Sequence, residues 1–427
     1  MKTSISYGYY GPRKIYKFHG RPFLMRVNLP DRKELHLIIS ENRTFLLFSQ
    51  AKHPTVREID KFNTESINSN SKLFDEISQI KKNGKNIYLY VVTDLLKTGG
   101  VERRLSLLFS WLEKKGIQPV IICEENNYKP FAHIPTIKIK FETPNIDTII
   151  LEIVERTQAS ILEFQLKCPR LLHSVNIDSL KQKTKVGCMI HGIVDGDQSI
   201  FDKLDYRATS TQHANNYHGF TTIPNVVEFP NHCPEFHLES KKALYIGRID
   251  DEKLPTIINF VKLCKQNNVE FMIAGPVSRQ KQTNALISKF PTNTCIGPIN
   301  TRSFLTEQGS NFLFIGGVGQ VPLEAAAANI PSLVTPHSSD LNRSTFLTAE
   351  NLSSIRDWNC VIKDGKIPKE IAPGNSSDFF DSLQESRKSK SLTPIQKFRI
   401  RSTLEEQLSE DVIWGKYLEL VNSLSTS

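Results

Sequence analysis

From Asn86 onward the chain alternates short apolar runs with helix-spaced segments, and it does so twice. Ile87-Tyr88-Leu89-Tyr90-Val91-Val92 is a continuous apolar run of the kind buried on both faces of a parallel sheet. The glycine turn Gly99-Gly100 opens a segment whose apolar residues stand at 101, 105, 108, 109 and 112, the spacing of one helix face. Strand candidates follow at Val120–Cys123, Ile137–Phe141, Ser160–Phe164 and Val186–Ile190. After the proline-marked segment 224–234 the rhythm restarts at Ala243–Ile246, Phe271–Ala274, Phe312–Ile315 and Ser332–Val334. Strand–helix alternation predicts doubly wound α/β sheets, and two successive units predict a cleft between them.

The chain has 427 residues, too many for one ordinary core, so two or three domains are expected. Residues 1–84 carry β-branched and alternating runs, with Leu35–Ile39 and Thr44–Phe48 flanking a polar turn in the manner of a hairpin. They are expected to form a β-rich accessory domain that ends in the polar stretch 63–71. A first α/β domain is assigned to 85–232 and a second to 233–407, with a terminal helix in 408–427.

The net charge of +9 suits an anionic substrate, an anionic membrane surface or a solvated lysine-rich face. No nucleic-acid signature accompanies it, so nucleic acid is not expected as a partner. No run of roughly 20 apolar residues suggests a membrane span, and the start of the chain lacks an apolar signal core. Seven scattered cysteines without a CxxC pair read as free thiols of a cytoplasmic protein. No metal or cofactor is expected.

Ligands of open α/β sheets bind beyond the carboxyl ends of the strands, so the residues at those ends matter most. Gly99 and Gly100 stand where backbone can approach an anion at a helix start, or serve only the turn. Gly247-Arg248, with Lys253 five residues on, has the fork and point charge of a diphosphate clamp. Asp250, Asp251 and Glu252 lie between and offer the alternative of an ion cluster. Gly316-Gly317-Val318-Gly319-Gln320-Val321-Pro322-Leu323-Glu324 reads as strand end, glycine loop and helix, with Glu324 in the first turn. That carboxylate suits the hydroxyls of a ribose or simply the helix dipole. His191, after Met189-Ile190, suits a sugar hydroxyl, a leaving phosphate or a structural role.

In this order the segments resemble the group 1 GT-B glycosyltransferases, retaining enzymes that use nucleotide sugars. TGGVERR (98–104), MIHG (189–192), TIPNVVEF (222–229), ALYIGRIDDEK (243–253), EFMIAGP (270–276) and VGQVPLEAAAANIPSLVT (318–335) carry the likeness. It implies two Rossmann-like domains across a cleft and a terminal helix that returns to the first. It also implies a metal-independent hexosyl transfer from a UDP- or GDP-sugar to a glycan, lipid-linked or protein acceptor of the cell envelope, while the basic charge balance suits contact with the inner membrane face. Arg248 and Lys253 would hold the diphosphate, aided by Gly247, Gly275, Gly317 and Gly319. Val321 and Pro322 would shape the loop, Glu324 would bind the ribose, Gly99 and Gly100 would approach the phosphates, and His191 would face the sugar. The family carries two glutamates eight positions apart, and Gly316 stands where the first belongs. A degenerate GT-B protein that binds nucleotide without turnover is the alternative.

Overall fold

A computed structural model describes residues 5–8, 23–28, 34–40, 43–49, 71–92, 100–126, 128–141, 145–166, 170–191, 199–210, 219–277, 285, 287–288, 290–291, 294–337, 343–357, 360–362 and 374–423. The chain divides into two compact units, Met1–Thr64 and Glu65–Ser427. In the first, β1 (Ile5–Gly8), β2 (Phe23–Asn28), β3 (Glu34–Ser40) and β4 (Arg43–Ser49) form an antiparallel meander. The boundary falls before 84 because α1 (Ser71–Lys82) belongs to the second unit, where Phe74 and Ile77 join the core built on Ile87, Leu89 and Val91.

The second unit holds two sheets. In chain order the first is built from β5 (Asn86–Val92), α2 (Gly100–Lys114), β6 (Ile117–Cys123), β7 (Thr136–Lys138), α3 (Ile146–Thr157), β8 (Ile161–Leu166), α4 (Arg170–His173), α5 (Ile177–Lys181), β9 (Lys185–Ile190), β10 (Tyr206–Thr209) and β11 (Thr221–Thr222). Its strands run in the order β11-β10-β9-β8-β5-β6-β7, every pair parallel. Strand side chains alternate between faces, so Ile87, Leu89 and Val91 enter one core layer while Tyr88, Tyr90 and Val92 enter the other.

The second sheet follows the same logic with β12 (Lys242–Ile246), α6 (Leu254–Gln266), β13 (Glu270–Ala274), α7 (Thr301–Gln308), β14 (Phe312–Gly317), α8 (Gln320–Ala327), β15 (Ser332–Val334) and β16 (Thr345–Phe346). The order is β13-β12-β14-β15-β16, parallel except for the last, antiparallel pair. Helices α9 (Leu352–Asp357), α10 (Ser376–Ser389), α11 (Arg401–Leu408) and α12 (Glu410–Asn422) complete the chain. Helix α12 buries Trp414 and Tyr417 in the layer that holds Tyr90, Phe109 and Leu112, and the Trp111 indole donates to Asp411 at 2.8 Å. Among the described residues no helix is long and apolar enough to cross a membrane.

Candidate functional site

Parallel pairing brings the carboxyl ends of the second sheet to one edge: Ile246 lies beside Ala274, Tyr245 beside Gly316, and Gly317 beside Val334. The loops that leave these ends carry the sequence motifs. After β12, Arg248 is an exposed side chain that meets Asp250 at 3.4 Å and Glu252 at 3.3 Å, and Lys253, at the cap of α6, meets Glu252 at 3.6 Å. The two cations therefore form an ion cluster with Asp250 and Glu252. Lys253, more than Arg248, holds the Glu252 carboxyl below its usual range. The Arg248–Glu252 pair is exposed on both sides, and such pairs are worth little, roughly 0–1 kcal/mol, so a phosphate can displace Glu252 from Arg248.

Gly275 closes β13 in the left-handed half of backbone space, at φ +151°, with the Gly247 carbonyl where a Cβ would stand. This close approach welds the two loops: Gly247 N–H donates to Ala274 O at 3.0 Å and Ile249 N–H to Pro276 O at 3.0 Å. Beyond β14, Gly317 lies against Val321 and the Ile246 carbonyl, and Gly319 caps α8 at φ +70°. Because α8 begins at Gln320, ahead of Pro322, Glu324 stands in its second turn rather than the first expected from the sequence. Pro322 is buried and Val321 half-buried.

Position 316 has a physical reason to be glycine. A Cβ there would come within 2.5 Å of the Phe260 ring, which α6 inserts under β14. Phe260 packs edge-on against Phe314, and Tyr245 is tilted beside it. The volume that a glutamate stem would need is filled by an aromatic.

The first sheet presents its own carboxyl edge, where Val92 pairs with Gln165 and Leu166 with Ile190. Gly99 lies outside the described residues, while Gly100 opens α2 with open space beside it. Arg103 and Arg104 follow on α2 with opposite fates. Arg103 turns outward to Glu324, and its other arm meets Glu228 at 2.9 Å, which Arg302 reaches from α7 at 2.6 Å. Glu324 is nearly buried, and burial pushes its carboxyl up while Arg103 holds it down. Glu324 is thus engaged by a guanidinium from α2, which leaves the carboxyl edge of the first sheet, and the carboxyl edges of the two sheets meet at this contact. Arg104 turns inward, donating to Pro224 O at 3.0 Å and Asn225 Oδ1 at 2.9 Å, with its guanidinium over Trp414 at 5.0 Å. Burial lowers its pKa to about 10. The motif TGGVERR holds both arginines and does not distinguish them.

His191, half-buried just past β9, lies 2.6 Å through Nε2 from Gln165 Oε1, and Gln165 bonds in turn to the buried Glu163. Glu163 and Gln165 belong to none of the sequence motifs. Their signal was available: two polar residues at alternate positions of an otherwise apolar run, where an acid is rarely buried without partners. The triplet Asp195-Gly196-Asp197, a pattern able to hold a divalent cation, follows His191 and lies outside the described residues.

No protein-family model and no curated protein sequence matches this chain. Solved structures do. A glycosyltransferase from Rickettsia africae ESF-5 superimposes with a TM-score of 0.57 at 14% identity, over 80% of this chain and 100% of its own. The lipopolysaccharide outer core galactosyltransferase WaaB, in its apo form, gives 0.55 at 11% identity, over 79% of this chain and 99% of its own. HepE from Anabaena in complex with UDP gives 0.55 at 11% identity, over 79% and 100%. With its paired parallel sheets opposed at their carboxyl edges, the chain has the GT-B fold that these glycosyltransferases share.

Proposed function

We propose that this protein is a retaining, metal-independent glycosyltransferase that moves a hexosyl group from a nucleoside-diphosphate sugar to a glycan, lipid-linked or protein acceptor in cell-envelope synthesis. The observation that carries the reading is that Arg248, Lys253 and the Gly317–Glu324 segment leave one carboxyl edge, while Gly100 and His191 leave the edge opposed to it.

In this reading the Arg248 fork and the Lys253 ammonium exchange their acids for the donor diphosphate. Their charge, with the N–H groups at the start of α8, then stabilises the departing nucleotide, so no metal is required. Glu324 exchanges Arg103 for the ribose hydroxyls. Gly99 and Gly100 admit the phosphates, and His191 faces the sugar. The UDP bound by HepE makes a uridine donor the first to test and a guanosine donor the second. Action at the cytoplasmic face of an anionic membrane is supported by the net charge of +9; sedimentation with phosphatidylserine vesicles at low salt tests it, and no co-sedimentation rejects it.

The test is hydrolysis or transfer across a panel of nucleotide sugars. Arg248→Ala and Glu324→Ala should each lower turnover by about a hundredfold, the scale of one lost transition-state contact. Activity that survives both changes rejects the assigned donor site. Phe260 beneath Gly316 favours a second reading, a protein that binds nucleotide without turnover. Calorimetric binding of UDP or GDP with no product on any acceptor supports it, and robust turnover rules it out.

A further inference from the structure

Beneath His191 lies a chain of buried polar groups whose proton positions are fixed by elimination. Glu163 is fully buried on β8 and accepts, at Oε2, the hydroxyls of Tyr206 at 2.8 Å and Tyr417 at 2.9 Å. Both phenols keep their protons, because burial and then the Glu163 charge push their pKa values well above the ordinary range. Tyr417 spends its proton on Glu163, so Tyr90, 3.0 Å away, donates to Tyr417. Gly187 makes room for the Tyr206 ring, which occupies the space a Cβ would need.

The other carboxylate oxygen, Oε1, faces Gln165. An ionised carboxylate only accepts, so Gln165 must turn its amide N–H toward Glu163 and its Oε1 toward His191. The His191 Nε2, 2.6 Å from that oxygen, must then carry the ring proton. We propose that Gln165 and Glu163 are positioning residues that hold His191 in its Nε2–H tautomer. In the neutral ring Nδ1 is then an acceptor, the complement of a sugar hydroxyl and not of a phosphate oxygen. This consequence rests on the donor-site reading above; the tautomer itself does not.

The relay is coupled to titratable groups on the elements packed against it. Arg104 on α2 is the cation that faces Glu163, while Tyr88 and Tyr90 on β5, Cys188 on β9, Tyr206 on β10 and Tyr417 on α12 surround it. Burial pushes the Glu163 carboxyl up to about 7, against the hydrogen bonds from Tyr206 and Tyr417 and the Arg104 charge. The lock therefore holds above that pH and loosens below it, where Glu163 can donate.

The test is nitrogen NMR on the full chain with labelled histidine, the His191 signal being identified by its loss in His191→Asn. Above about pH 7 the wild type should show the Nε2–H form. In Glu163→Gln the two phenols keep the amide oxygen at Oε2, so the new NH2 group faces Gln165. That turns Gln165 over, and His191 should invert to Nδ1–H. Gln165→Leu, which removes the relay without a new donor, should lower the share of the Nε2–H form. Tyr417→Phe should keep the Nε2–H form but lose it at a higher pH, because one bond that lowers the Glu163 pKa is gone. An unchanged Nε2–H tautomer in folded Glu163→Gln, or in Gln165→Leu should the first not fold, overturns the relay. An inverted tautomer with unchanged sugar transfer upholds the relay and removes His191 from the donor site.

Discussion

Gly316 is the residue that departs most plainly from the resembled family, and its neighbour Phe260 supplies the physical cause. Gly316→Ala should destabilise the fold by roughly 1–3 kcal/mol through overpacking. Phe260→Ala should cost about 3–5 kcal/mol through the cavity it leaves. The double variant should lose less than the sum of the two, since each change relieves the other; urea midpoints of the four proteins check this coupling. Arg103 makes a second residue-scale prediction. Without its guanidinium the Glu324 carboxyl should move further above 4.5, so the folded state binds a proton more tightly than the unfolded chain. The stability deficit of Arg103→Ala should therefore be small at acid pH and grow as pH rises through that raised pKa, to about 1 kcal/mol for a half-exposed partner. Melting curves across pH read the sign. Which arginine of the pair is inward could not be read from the chain. Adjacent helix positions differ by about 100°, and the direction of the core was set by Trp414, some three hundred residues away.

At the scale of elements, the long apolar runs were legible because a parallel sheet buried on both faces leaves few polar residues in its strands. Ile87–Val92, Val186–Ile190 and Phe312–Ile315 all lie in central strands. The strands that were missed, β1, β10, β11 and β16, run only two to four residues and lie at or near sheet edges, too short for any periodicity. The start of α8 was misread because proline favours the first helical position, while here Gly319 sets the entry two residues earlier. Helix α12 shows how a terminal segment can hold a distant site together. Trp414 is fully buried and stands under the Arg104 guanidinium, which itself grips the Pro224–Asn225 loop. Trp414→Ala should cost about 3–5 kcal/mol in a denaturant titration. It should also loosen that loop, read as faster amide exchange at Asn225.

At the scale of the molecule, the second unit is two largely parallel sheets whose carboxyl edges are bridged by Arg103, Glu324, Glu228 and Arg302. Two successive α/β sheets were legible from strand–helix rhythm, and the GT-B arrangement from the resemblance of the ordered motifs. The bridge was not, because it joins charges from α2, α7, α8 and a loop that no local pattern connects. Charge stabilisation of the leaving nucleotide by Arg248 and Lys253 predicts that turnover survives chelation by EDTA, measured as product release with and without added magnesium. Loss of turnover on chelation, restored by magnesium, would bring the Asp195-Gly196-Asp197 triplet into the site instead.

In the function proposed above, the carboxyl edge of the second sheet grips a nucleoside diphosphate. Calorimetric titration of UDP and GDP into the wild type, Arg248→Ala and Glu324→Ala tests it without need of an acceptor. Saturable binding should weaken about tenfold or more in each variant, the scale of one charge-assisted hydrogen bond worth about 1.5–3 kcal/mol. Equal affinity in all three proteins, or none in the wild type, would contradict it.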